Sequence, residues 1–462
     1  MNMPHTFVRF AWASIGFLVA CGGGDNNGTG PDGGRIVAGR VKDRAGEPIA
    51  GAAVLVPGMS PVTTLADGSF SIPGVHVPYD IVLLPPGRDT AVVYDGLTRS
   101  DPTLVFPFYA GGARFATITG TVPPTAGTGS TSTHVFFVSG RDVVGGTPAD
   151  VTTGAYSFGV GWRSAGGTLT GQLYVLRWTG DALGHPASYD GYASKPLTIS
   201  DGSSSSGIDF TAAELTDPPE QIIAGSVTIP TGYTQAVRRL FVFFGRVPVY
   251  WEESGSLAGD FSYTVPSISG VVSGVSASAE DPASRTSWYV KNGISGNTTN
   301  VSIALQEAAH LTQPTNGASA VDTSTSFAWS PGGGTGVNII WVTPDNGASP
   351  TFLVLTTLDH AKIPDLTAAG MGLPATTAYH WVVDKVFPVA SVDDAAREGF
   401  LDLIAWDSPA VGETLSEVFA FTTKGPAGSA SHAAATVQTS TAANALHRDR
   451  LLGAAGISLG HR

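Results

Sequence analysis

Val37-Ala38-Gly39-Arg40-Val41-Lys42-Asp43, followed by Gly51-Ala52-Ala53-Val54 and then by Asp67-Gly68-Ser69-Phe70-Ser71-Ile72, decides the fold. Apolar side chains recur at every second position, the period of a strand with one face on a core. Asp43-Arg44-Ala45-Gly46 and Asp67-Gly68 are turn residues between the strands. The grammar returns twice downstream. Ile118-x-Gly120-x-Val122 and Ile223-x-Gly225-x-Val227 repeat the opening strand, and Tyr156-Ser157-Phe158 and Phe261-Ser262-Tyr263 repeat Phe70-Ser71-Ile72. Gly120 and Gly225 stand 105 positions apart, as do Tyr156 and Phe261, which marks a duplication kept in register. Between these markers run His134-Val135-Phe136-Phe137-Val138 and Leu240-Phe241-Val242-Phe243-Phe244, dense enough in apolar residues for the middle of a sandwich.

The rest of the composition agrees. In 462 residues, Gly 59 and Pro 31 punctuate the chain too often for long helices. Charged residues are 13%, against roughly 25% in an ordinary soluble protein, a common look for exported β-proteins. The net charge of −13 carries no basic block, so nucleic acid is excluded as a partner. The single cysteine excludes an intrachain disulfide framework and any cysteine-based zinc cluster.

Residues 36 to about 84 resemble the carboxypeptidase regulatory-like domain, a transthyretin-type β-sandwich, through Val37-x-Gly39-x-Val41-x-Asp43, Gly46-x-Pro48, Gly51-Ala52-x-Val54 and Asp67-Gly68-x-Phe70-x-Ile72. The resemblance implies a fold and no chemistry. The predicted class is all-β, with tandem small β-sandwiches over residues 35–112, 115–215 and 220–307 in a row. A fourth module over 309–424 resembles a fibronectin type III or immunoglobulin-like sandwich, with Trp329 on an early strand and Tyr379-x-Trp381-x-Val383 on a late one. Asp393-Asp394-Ala395-Ala396-Arg397-Glu398 predicts a short helix that caps a loop. From 425 to 462, Gly, Ala, Ser and Thr dominate and the period vanishes, which predicts a disordered tail.

At the other end, Arg9 is followed by the apolar run Phe10 to Ala20, too short to span a bilayer and predicted as a signal peptide over 1–20. Leu18-Val19-Ala20-Cys21 resembles the bacterial lipobox, and residues 21–34 form a Gly/Asn/Asp linker. The resemblance implies that Cys21 is lipidated and holds the protein on a membrane. Gly22, in place of the Asp that retains lipoproteins at the inner membrane in some bacteria, favours the outer membrane of a Gram-negative cell. Two or three acyl chains give stable attachment at about 0.8 kcal/mol per buried CH₂.

Little else points to chemistry. Gly456-Ile457-Ser458-Leu459-Gly460 matches a nucleophile elbow by letters alone, with only His461 after it. The ten histidines lack metal-ligand spacing, and neither metal nor cofactor is expected. Glu252 and Glu253, as neighbours on a strand, point to opposite faces and are poorly placed to flank one glycosidic bond. Aromatics remain. Trp251, Tyr250, Trp178 and Trp288, with Trp162, Tyr189 and Tyr192, fall in or near expected loops, where open rings stack on sugars. The leading expectation is a non-enzymatic envelope scaffold or adhesion protein with a protein or glycan partner. A glycan-binding protein centred on Trp251 is the alternative, and a hydrolase comes third.

Overall fold

The computed structural model describes residues 33–426, except 109–111, 126–129, 141–142, 164–165, 182–184, 246, 256–258, 346, 348 and 401–407, together with 457–460. The fold is all-β, as the alternating pattern requires. Cys21, with the whole leader and linker, lies outside the described residues.

The first module contains β1 (Arg35–Lys42), β2 (Ala53–Leu55), β3 (Val62–Thr63), β4 (Ser69–Val75), β5 (Tyr79–Leu84), β6 (Thr90–Leu97) and β7 (Thr103–Val105). The second contains β8 (Arg114–Thr121), β9 (Thr131–Ser139), β10 (Val143–Pro148), β11 (Ala155–Trp162), β12 (Thr168–Gly180), β13 (Pro186–Ser200) and β14 (Ser204–Ser205). The third contains β15 (Glu220–Thr228), β16 (Gln235–Phe244), β17 (Val247–Gly255), β18 (Gly259–Pro266), β19 (Val271–Glu280), β20 (Thr286–Ile294) and β21 (Thr298–Ala304). One topology serves all three. The fourth, first and seventh strands form one sheet, as in β4-β1-β7, β11-β8-β14 and β18-β15-β21. The third, second, fifth and sixth form the other, as in β3-β2-β5-β6, β10-β9-β12-β13 and β17-β16-β19-β20.

The two sequence markers meet across the first of these sheets. Gly39 lies opposite Phe70, Gly120 opposite Tyr156 and Gly225 opposite Phe261. Glycine is required there by close approach. A Cβ at Gly39, Gly120 or Gly225 would overlap the backbone carbonyl oxygen of Pro102, Ile208 or Val301 respectively, on the segment that forms or flanks the parallel seventh strand. The shared spacing is therefore the spacing of cross-strand partners, and a change at one marker removes the geometry that the other needs.

The fourth module contains β22 (His310–Gln313), β23 (Ala318–Val321), β24 (Phe327–Ser330), β25 (Val337–Pro344), β26 (Thr351–Thr356), β27 (His360–Ala361), β28 (Ala378–Phe387), β29 (Ala410–Leu415) and β30 (Phe419–Thr423). Sheet β22-β24-β27 faces β26-β25-β28 across a core holding Phe327, Trp329, Tyr379, Trp381 and Val383. Residues 378–381 of β28 pair with β30, and residues 384–387 pair with β29.

The modules are also joined edge to edge. β6 pairs in parallel with β26, Thr90↔Thr351 through Tyr94↔Leu355, and β20 pairs antiparallel with β29. One sheet therefore crosses from the first module through the fourth into the third, in the order β3-β2-β5-β6-β26-β25-β28-β29-β20-β19-β16-β17. The cause is visible in β6, where Ala91, Val92, Val93 and Tyr94 are all buried. A strand apolar on both faces cannot remain at an open edge without exposing that surface.

The predicted short helix exists as α1 (Val392–Ala395), with Ser391 as its N-cap, but it clamps the first module to the fourth rather than capping a loop. The Asp393 carboxylate accepts from the Thr98 and Arg99 amides at 2.8 and 3.2 Å, and Lys42 pairs with Glu398 at 2.6 Å. Val389, Val392, Ala396 and Phe400 join the first module's core. Within the segment 425–462, Ile457–Gly460 forms β31, parallel to β17. Ser458 thus sits in a strand and not in an elbow.

Candidate functional site

The aromatic residues singled out from the sequence converge on the boundary between the second and third modules, but inside it. On β12 and β13, Trp178 and Tyr189 project from the second module's four-stranded sheet, away from the cluster that contains Phe137 and Val175. They meet Trp251 of β17. Trp178 and Trp251 lie edge to face at 5.4 Å and 88°, Tyr189 and Trp251 at 6.3 Å and 85°, and Phe136 stands 4.9 Å from Phe244. The Tyr189 hydroxyl donates to the Thr264 carbonyl, and its amide donates to Glu220, so the contact is also hydrogen-bonded.

This burial removes Trp251 and Trp178 as rings on which a sugar could stack. Trp251 is 1% exposed and Trp178 2%, leaving neither ring a free face for a sugar. Trp288 is 8% exposed and packs with Phe241, Phe243 and Val411, and Trp162 and Tyr189 are also buried. Tyr250 is half-buried, with Phe241 at 5.8 Å and the Arg239 guanidinium 5.9 Å from its ring. β17 continues past Trp251 to Gly255, and the second module covers Trp251.

The adjacent carboxylates part as strand alternation predicts. Glu252 pairs with Arg239 at 2.7 Å, and Glu253 pairs with Arg238 at 2.9 Å on the opposite face. Arg238 is buried, donates to the Tyr263 hydroxyl and the Asp260 carbonyl, and lies 5.4 Å from the Phe261 ring. Burial raises the Tyr263 phenol well above its ordinary range, with the Arg238 charge opposing and Glu253 adding to the effect. Each carboxylate is held by its own arginine, an arrangement that fixes β16 to β17. Among the described residues, no group of three or more His, Cys, Asp or Glu side chains is placed to hold a metal.

His134 belongs to the same boundary, and the sequence reading gave it no role. It is buried 5.1 Å from the Trp178 ring, and burial pushes its imidazole down to about 4. The unfolded chain binds a proton near 6.5 and the folded chain only near 4, so its stability contribution is full above about pH 6.5 and is lost as pH falls toward 4. The slope reaches roughly 1.4 kcal/mol per pH unit within that window. His134→Phe is expected to remove this part of the pH dependence, measured as the difference between urea unfolding curves of the two proteins at pH 7 and pH 5. The difference matters because Asp384 acts with the opposite sign. Burial raises its carboxyl far above the usual range, Glu413 adds to the effect, and rising pH destabilises the fold until that carboxyl has ionised.

No family model matches the sequence, and no curated protein matches it. Solved structures with partial similarity include the Bacillus anthracis TIE protein, at 11% identity and a TM-score of 0.15 over 58% of this chain and 49% of that one. The chain thus spans about half the length of that protein. BcpA, the major pilin subunit of Bacillus cereus, aligns at 8% identity and a TM-score of 0.14 over 58% of this chain and 98% of that one. A tetra-tandem repeat from the extending region of a large adhesion protein aligns at 12% identity and 0.15 over 85% of this chain and 99% of that one. The fold assignment rests on the strand orders above, not on these superpositions.

Proposed function

We propose that the protein is a non-enzymatic scaffold or adhesion component of a bacterial cell envelope, carried on a lipid anchor at Cys21. The observation that supports a scaffold is the sheet continuous through the first, fourth and third modules, with the second locked on by Trp178, Tyr189 and Trp251. Edge-to-edge pairing and a buried aromatic seam remove the hinges that independently tethered modules possess, so a load or a bound partner on one module is transmitted to the others. The adjacent carboxylates and the large aromatics are engaged in this architecture. The anchor rests on Leu18-Val19-Ala20-Cys21 and on this being the chain's single cysteine. Several partially similar structures carry adhesin or pilin names, and the adhesion reading accords with those names without depending on them.

The test compares cells producing the protein with cells producing Cys21→Ser, labelled with an alkyne fatty acid and scored for surface exposure and attachment. The expected result is fatty-acid incorporation and attachment in the first, with both lost in the second. Incorporation without any change in attachment would remove the adhesion role; no incorporation would remove the anchor.

A further inference from the structure

We propose that β17 is a strand-acceptor edge through which copies of this chain join, the strand Ile457–Gly460 of one copy adding to β17 of another. The two ends of the continuous sheet are unlike. At one end β3 has two residues, short enough to offer no template. At the other, β17 runs for nine residues, and Val249-Tyr250-Trp251, between Pro248 and the charged Glu252-Glu253, forms an apolar stretch of edge on which another strand can pair. Within the chain, β31 supplies that strand in parallel register, Val249↔Ile457, Tyr250↔Ser458 and Trp251↔Gly460. It also approaches β10, the corresponding edge of the second module.

Two features favour exchange. β31 has only four residues, and a parallel ladder of that length contributes little, since each hydrogen bond nets roughly 1 kcal/mol and parallel pairing is the weaker kind. Residues 427–456, rich in Gly, Ala, Ser and Thr, lie in sequence between it and the fourth module, so its place on β17 is not fixed by a short connection. The contacts made by β31 are the same whether β17 belongs to its own chain or to a neighbour. Effective concentration decides between them, and for a strand joined through a long connection it is on the order of millimolar at most. Dense display on a surface favours exchange, whereas dilution favours the internal pairing. The proposal does not depend on the lipid anchor.

The test uses full-length chains in a Cys21→Ser background. An acceptor carries Tyr250→Cys with Ser458→Pro, which disables its own strand by removing a backbone N–H. A donor carries Ser458→Cys. Mixing them under mild oxidation is expected to give a disulfide-linked heterodimer that increases with concentration. Its yield is expected to be at least tenfold above an acceptor whose cysteine sits instead at the exposed Thr170. A chain carrying both Tyr250→Cys and Ser458→Cys is expected to close internally when dilute, and circular dichroism and gel filtration establish that each variant is folded. Internal closure without heterodimer at any concentration would overturn the exchange. Failure of both would show that β31 does not occupy β17, and would overturn the acceptor edge itself.

Discussion

Gly120→Ala is expected to lower stability by on the order of 3 kcal/mol, whereas Gly159→Ala in the same module changes it by less than about 1 kcal/mol. The two glycines lie on paired strands, β8 and β11, three residues apart in register. A Cβ at Gly159 meets nothing within 4 Å, while at Gly120 it overlaps the Ile208 carbonyl and stands 2.7 Å from the Tyr156 hydroxyl. The Ile208 carbonyl accepts from the Tyr156 hydroxyl and the Ile208 amide donates to the Thr119 carbonyl at 3.2 Å, so that segment cannot turn away without breaking these bonds; the strand must shift, and Ile118 and Val122 shift with it out of the core. Gly225→Ala is expected to act likewise through Val301. The check is urea unfolding of the three variants beside the parent. Equal effects at positions 120 and 159 would show that glycine serves flexibility there and that the marker has no steric meaning.

That contrast explains why part of the fold is legible in the sequence. The period-two pattern and the Gly-aromatic markers are local or paired signals, and a duplicated pair must keep both members in step, which is why the 105-residue spacing appears twice. Trp329 and Tyr379-x-Trp381-x-Val383 are legible for the same reason, since every second residue faces one core. The contacts between modules are not local. Nothing near Trp251 in sequence states that another module covers it, so its burial is missed and it is placed in or near a loop. A signal was nevertheless present. In Val135-Phe136-Phe137-Val138 and Leu240-Phe241-Val242-Phe243-Phe244 consecutive residues are apolar, although one module's core accounts for only every second one. Val135 and Phe137 fill the second module, while Phe136 and Val138 pack with the third. A strand apolar on both faces announces a second covering layer, and Ala91-Val92-Val93-Tyr94 does the same for the junction with the fourth module.

Trp251→Ala is expected to destabilise the protein by about 3–5 kcal/mol, the range for removing a buried tryptophan from a site that cannot collapse. Trp251→Phe is expected to cost much less. It keeps an aromatic edge against Trp178 and removes an indole N–H that is buried without a hydrogen-bond partner among the described residues. A double-mutant cycle with Trp178→Ala is expected to give a coupling of roughly 0.5–1.5 kcal/mol, the contribution of one edge-to-face pair beyond its buried area. Hydrogen exchange locates the effect. In Trp251→Ala, amides of β12 and β13 are expected to lose protection together with those of β17, although they belong to a different module, because Trp251 is what the second module's sheet packs on. Protection lost on β17 alone, with no coupling to Trp178, would mean that the modules fold side by side without sharing a core. This bears on any binding assay that uses the variant. If the seam is cooperative, lost retention on a polysaccharide or a partner follows from the second module coming loose, and Trp251→Phe, which preserves the seam, separates that outcome from direct contact with the ligand.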